Sequence, residues 1–148
     1  MTPDALWQRY VAENPQFAHH PYQAWPYGSN EPDALLELTL RGVKTATASA
    51  VPVYEHSGEA IPKAGDFSVL LSSCGEARCI IRTTRVTVVP FAQVSEKQAF
   101  LEGEGDRSLA YWREAHRRFF TAEMESIRSV FTETMPVVCE EFVVVYRA

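Results

Sequence analysis

The sequence predicts an α+β protein in which several strands curl into a small barrel with helices around it. Apolar residues recur at helical spacing over residues 3–13 and 32–41 and again over 95–120, which marks amphipathic helices. Runs rich in Val, Ile and Thr fill 67–71, 79–89 and 137–146, which marks strands. The 148 residues, 46% apolar and 22% charged, suffice for one domain with a sizeable core, and no repeat, linker or low-complexity stretch divides them.

In chain order, Thr2 can cap a first helix over Pro3–Glu13, with Pro3 in its first turn and Asp4 against the positive dipole end. The segment 19–28 carries two prolines and a glycine and reads as an aromatic connection, so residues 1–28 form a helical extension. Ser29 or Asn30 should cap a second helix from Pro32 to Arg41 or Gly42. A strand follows and ends at Val51-Pro52-Val53-Tyr54, where the proline implies an edge. Phe67–Leu71 and Cys79–Val89 read as a hairpin through Gly75. Ser95 with Gln98 forms a capping-box pattern for a short helix that Gly103 stops. Arg107 or Ser108 opens a helix with Leu109, Trp112, His116 and Phe120 on one stripe. The run 137–146 reads as a central strand.

Composition bounds the function. The net charge of −5 argues against a non-specific grip on a long phosphate backbone, leaving a small ligand or a short nucleic-acid segment in a locally basic cleft. Met1–Asp4 has no basic stretch leading into an apolar run, no segment is apolar enough to span a membrane, and Cys74, Cys79 and Cys139 form no Cys-x-x-Cys motif. The expectation is a reduced, cytoplasmic protein without a membrane partner. Oligomeric state is not encoded in any visible pattern.

The segment Gly42–Ser49 is the most informative. Gly42 suits the end of a helix, Lys44 follows, and Thr45, Thr47 and Ser49 alternate with Ala46, Ala48 and Ala50. Such a strand has one hydrogen-bonding face, one nearly bare face and a cation at its entrance, which suits the wall of a pocket.

This segment, together with Cys79–Thr84, Glu102-Gly103-Glu104-Gly105-Asp106-Arg107-Ser108-Leu109 with Trp112, and Trp25-Pro26-Tyr27-Gly28, resembles the ASCH domain family over residues 25–146. It is most similar to the bacterial stand-alone branch of that PUA-like group. The resemblance implies a PUA-like β-barrel whose cleft takes RNA or nucleoside-type ligands. Some members are amidohydrolases of acetylated cytidine, and others are described as ribonucleases. The amidohydrolase motif falls on Lys44, Thr47 and Glu102, which the resemblance assigns to catalysis. A threonine hydroxyl needs a neighbour to take its proton, and a carboxyl can protonate a leaving amine. In a strict strand Lys44 and Thr47 project oppositely, so the site requires the strand to begin after Lys44 or to carry a bulge.

Trp25, Tyr27 and Tyr54 are candidates to stack on a base; Thr45, Ser49, Arg82, Glu104, Arg107 and Ser108 are candidate ligand contacts. Ser108 is also an N-cap candidate, and Arg82 lies in an otherwise apolar-and-threonine strand. Glu102, Glu104 and Asp106 invite a metal reading, but the sequence offers no full ligand set or histidine partner, so no metal and no cofactor are expected. His116 reads as a packed, hydrogen-bonded histidine. The reading is a binder of RNA or of a modified nucleoside, acting as a metal-independent hydrolase of an acyl-cytosine amide or of single-stranded RNA. The alternative is a non-catalytic RNA- or nucleotide-binding module.

Overall fold

Thr2 caps the first helix as its sequence predicts, its hydroxyl accepting from Ala5 N at 3.1 Å. The computed structural model describes residues 1–148. It contains helices α1 (Pro3–Glu13), α2 (Pro32–Leu40), α3 (Val51–Ser57), α4 (Glu96–Glu102) and α5 (Leu109–Ser126). Its strands are β1 (Tyr22–Trp25), β2 (Ala46–Ala50), β3 (Phe67–Leu71), β4 (Ala77–Pro90) and β5 (Pro136–Arg147). They form one sheet in the order β1-β3-β4-β5-β2, with β1 parallel to β3 and every other pair antiparallel.

The α+β class stands, but the barrel is not closed. β1 and β2 are the two edges of the sheet, and no ladder joins them. Each edge is short, and proline follows closely, at Pro26 and Pro52, where no N–H is available for a ladder. The long β4–β5 pair carries register shifts at Ile80/Ile81 and Thr83/Arg85. Bulges of this kind bend a strand and increase its twist. The bent sheet brings its unjoined edges to opposite sides of one cleft, which both line.

Side chains alternate across the sheet as the pleat requires. Phe67, Val69 and Ile80 pack against Leu6, Trp7, Tyr10 and Val11 of α1. Leu70, Cys79 and Ile81 pack with Leu36 of α2, Tyr27 and Phe142. Ala50, Phe91, Trp112, Phe120, Met124 and Val137 form a third cluster beneath α4 and α5.

Three local expectations change. The segment 19–28 contains β1, because pairing with β3, distant in sequence, supplies hydrogen bonds that local propensity does not reveal. Val51–Tyr54 begins α3 rather than ending a strand, Pro52 lying in the first turn, where its missing N–H costs no helical bond. At α2 the N-cap position is Glu31 without a side-chain bond; Ser29 Oγ instead accepts from Glu31 N at 2.9 Å. The remaining boundaries agree, including Ser95 and Ser108 as caps and β5 inside the sheet. The three cysteines are free.

Gly103 ends α4 at φ +73°, and a Cβ there would lie 2.8 Å from the carbonyl oxygen of Val43. Gly75, at φ +80°, faces open space. Gly75→Ala should therefore cost about 1 kcal/mol from backbone strain alone. Gly103→Ala should cost about 1–3 kcal/mol more, because backbone must shift to make room. Urea unfolding of the two variants compares them directly; equal losses would mean that α4 and residue 43 are not in close apposition.

Candidate functional site

A cleft of about 760 Å³ lies between the two sheet edges. Its walls carry Trp25, Tyr27, Thr47, Ser49, Tyr54 and Phe119. Trp25 and Tyr27 meet edge to face with ring centroids 5.4 Å apart. Tyr27 is anchored through its hydroxyl to Thr39 Oγ1 at 2.7 Å, and burial pushes its phenol far up. Ser49 Oγ and Tyr54 OH share a hydrogen bond of 2.8 Å across the β2–α3 corner. Thr47 and Glu140 are register partners on β2 and β5, which points both side chains to one face.

Glu140 is the cleft's inner carboxyl, only 6% exposed. Thr83 Oγ1 donates to its Oε2 at 2.6 Å. Burial raises its carboxyl, Thr83 opposes that rise, and Asp66 adds to it. Glu123, on α5 at the rim, is likewise raised by burial. The lining holds Glu59, Asp66, Glu123 and Glu140 against one cation, Lys63, so the cleft is acidic rather than locally basic.

Behind Tyr27 lies a second assembly. Lys44 is 1% exposed; its Nζ donates to Glu104 Oε2 at 3.0 Å and lies 3.5 Å from both Oε1 and the main-chain carbonyl of Glu102. The same ammonium lies 5.3 Å from the centre of the Tyr27 ring. β2 begins at Ala46, so Lys44 sits in the preceding turn and escapes strand alternation. Glu102 is also buried, and its Oε2 accepts from the indole of Trp112 and from Gln98 Nε2. His116 stacks on Trp112 at 4.1 Å and lies 3.5 Å from Glu102 Oε1. Burial alone would raise the Glu102 carboxyl, but Lys44, His116 and Trp112 outweigh it and hold it well below the usual range. Burial pushes His116 down, yet its bond to Glu102 and the charges of Glu102 and Glu104 leave it net raised.

Glu102, Glu104 and His116 thus supply the histidine partner that the sequence conceals, with ligand atoms within 4.8 Å of one another. The cation among them is the Lys44 ammonium, so the donor set is already engaged. Gln98 does not close a capping box with its side chain. It bridges Glu102 to the main-chain oxygen of Thr47 at 3.1 Å, joining the buried assembly to the cleft wall.

Trp25, Tyr27, Thr47, Ser49 and Tyr54 therefore meet in the cleft, while Lys44, Glu102 and Glu104 meet behind it. The other four candidates lie elsewhere. Thr45 bonds Leu101 O through its amide at 2.8 Å and is part of the β2–α4 contact. Arg82 is half-buried, lies outside the cleft lining and sits 5.2 Å from the ring centres of both Phe17 and Phe67 in cation–π contact. Arg107 stacks 3.7 Å from the Phe100 ring and donates to Phe100 O at 3.0 Å. Ser108 caps α5 by accepting from Tyr111 N at 3.1 Å. Sequence reasoning missed Glu140, Gln98, Ser68 and Phe119; the signal available for Glu140 was a charged pair inside a valine-rich strand.

Residues 23–146 match the family model of the ASCH domain. An ASCH domain from Lactobacillus crispatus JV V101, known from a crystal structure, is 35% identical with a TM-score of 0.90, covering 97% of this chain and 94% of that one. Protein EF3133 from Enterococcus faecalis V583 is 33% identical with a TM-score of 0.88, covering 97% and 88%. The hypothetical protein PH0355, at 18% identity and a TM-score of 0.56 over 84% of this chain and 98% of that one, shares the fold alone. No curated protein matches the sequence.

Truncating Lys44 strands two carboxylates, one of them fully buried. Lys44→Ala should therefore cost about 3–5 kcal/mol in urea unfolding. The double variant Lys44→Met/Glu102→Gln should lose less than Lys44→Ala; an equal or greater loss would show that the ion pair is not what Lys44→Ala disrupts.

The pH dependence of stability follows from the same assembly. The depressed Glu102 contributes stability that is fully present above its ordinary value of 4.5 and is lost as pH falls through its folded value. The raised His116 contributes stability that is fully present below 6.5 and is lost as pH rises through its folded value. Urea midpoints should then peak between pH 4.5 and 6.5 as far as these two groups decide. His116→Gln should flatten the alkaline limb and, because His116 also helps to hold Glu102 low, weaken the acid limb as well; an unchanged alkaline limb would sever His116 from Glu102.

Proposed function

The chain belongs to the ASCH domain family, which is generally associated with RNA binding, and on that premise we propose that it binds one base-sized ligand in the cleft between β1 and β2. The ligand is a nucleoside-type small molecule or a single unstacked base of RNA. The observation that carries this reading is the aromatic lining, Trp25, Tyr27, Tyr54 and Phe119, around a space of about 760 Å³. Planar bases gain about 1–3 kcal/mol from stacking on such side chains, whatever their sequence. The resemblance in Gly42–Ser49 and Glu102–Ser108 supports the same reading.

A hydrolytic role is the second reading, favoured by the hydroxyls of Thr47 and Ser49 on the cleft wall beside the inner carboxyl Glu140. In it Thr47 meets the substrate, while Lys44 and Glu102 position it through Gln98. Lys44, as an ammonium already shared by two carboxylates, is a poor proton acceptor and reaches no phosphate behind Tyr27. That arrangement disfavours cleavage of an RNA backbone by Lys44, and in amide hydrolysis it leaves Glu140 as the group beside Thr47 to take the hydroxyl proton.

Isothermal titration with cytidine, N4-acetylcytidine and a short single-stranded RNA tests binding. Trp25→Ala should weaken the bound ligand about 10-fold, the equivalent of one stacking contact. Absence of binding by all three probes would overturn the reading. Release of cytidine from N4-acetylcytidine, lost in Thr47→Val with binding retained, is expected of the hydrolase. Binding without turnover of either acetylcytidine or RNA removes the hydrolytic reading and leaves a binding module.

A further inference from the structure

The carboxyl groups of the cleft restrict what can enter it. Asp66 and Lys63 hold each other at 3.0 Å, so they add no net charge. Glu59, Glu123 and Glu140 remain without a cationic partner. Glu140 is the most deeply placed, and only one of its oxygens, Oε2, is engaged within the protein, by Thr83. A buried carboxyl with a free acceptor oxygen facing a cleft demands a donor from whatever fills it. It also makes a phosphate in the same space costly, since like charges in a partly desolvated site repel strongly.

We propose that Glu140 is a specificity-determining residue that accepts a hydrogen bond from an N–H-bearing edge of the ligand, and that the cleft excludes phosphate. The ligand class is a heteroaromatic base with an exocyclic amino or amide N–H, entering as the neutral nucleoside or as a base turned in from a strand whose phosphates stay outside. The proposal rests on the base-binding reading above and deepens it. Carboxylates accept from the amino edge of a base, whereas a carbonyl oxygen in that place leaves two acceptors facing each other. Thr83 orients the carboxyl by occupying Oε2, which directs Oε1 to the ligand. Thr47, the register partner of Glu140, lies beside that contact on the cleft wall.

The test titrates the full chain with guanosine, adenosine, cytidine, uridine and cytidine 5′-monophosphate by calorimetry at pH 7. At least one amino-bearing nucleoside should bind about 10-fold or more tightly than uridine, as one well-made base-edge contact allows. The monophosphate should bind more weakly than cytidine, and Glu123→Gln at the rim should narrow that gap. Glu140→Gln, which keeps the shape but offers a neutral amide oxygen in place of a carboxylate, should narrow the preference over uridine, since a charged acceptor makes the stronger hydrogen bond. Uridine binding as well as all three amino-bearing nucleosides, or a preference unchanged in Glu140→Gln, overturns the role of Glu140 while base binding stands. A monophosphate that binds more tightly than its nucleoside overturns the exclusion of phosphate. Absence of binding by every probe removes the base-binding reading and the inference with it. Where Glu140→Gln melts early by circular dichroism, the wild-type ranking and the Glu123→Gln arm still decide the outcome.

Discussion

A buried ammonium dictates the arrangement around it. Lys44 is 1% exposed, and a lone charge in such a place is unaffordable unless acceptors surround it. Glu104 can supply one only because the chain reverses at Gly103, whose positive φ and missing side chain let α4 end against Val43. Glu102 can supply another only while its own charge is spread over Trp112, Gln98 and His116. Trp112 and His116 belong to α5, and Gln98 to α4, so one satisfied charge fixes the start of β2, the end of α4 and the first half of α5 together. The Thr45 amide on Leu101 O completes the same junction.

That junction underlies the cleft without being part of its surface. Tyr27 is the shared wall, with one face toward the Lys44 ammonium and an edge-to-face contact with Trp25 in the cleft. Gln98 is the shared strut, bonded to Glu102 on one side and to the backbone of Thr47 on the other. The division is physically sensible. Charges that are fully paired confer rigidity, and groups that keep an unpaired acceptor, as Glu140 does, are available to a ligand. An open sheet is the precondition, since a ladder between β1 and β2 would close the space their side chains line.

What could be read from sequence was what local chemistry specifies. Thr2 and Ser108 cap their helices, Gly42 and Gly103 take positive φ, and Trp112, His116 and Phe120 share a stripe because each depends on neighbours within a turn or two. The Gly42–Ser49 and Glu102–Ser108 motifs brought Lys44 and Glu102 into one account before any distance was known. β1 was not legible, since four residues beside prolines become a strand only when β3 lies next to them. Arg82 was misplaced for the same reason: the two aromatic rings that hold it come from residues 17 and 67. Glu140 and Glu141 show the limit of alternation, which says that one side chain faces in and the other out but not which. The pairing of Glu140 with Thr47 decides it.

The family's association with RNA must be squared with a cleft whose free charges are negative. Arg85 and Lys97 line a different, smaller depression of about 130 Å³ together with Cys139 and Glu141. Cys139 and Glu141 flank Glu140 on β5, so strand alternation sets that depression on the opposite face of the sheet from the cleft. The depression sets Arg85 and Lys97 beside Glu141, whereas the charges of the cleft that lack an opposite partner are all negative. A phosphodiester backbone laid along the cleft would meet Glu59, Glu123 and Glu140 at short range, and a net charge of −5 supplies no long-range attraction to offset it. A base has no such conflict, because its faces suit Trp25, Tyr27 and Tyr54 and its N–H edge suits a carboxyl. Recognition by this chain is therefore coherent when it proceeds base-first, with affinity drawn from stacking and from one directed hydrogen bond instead of from charge.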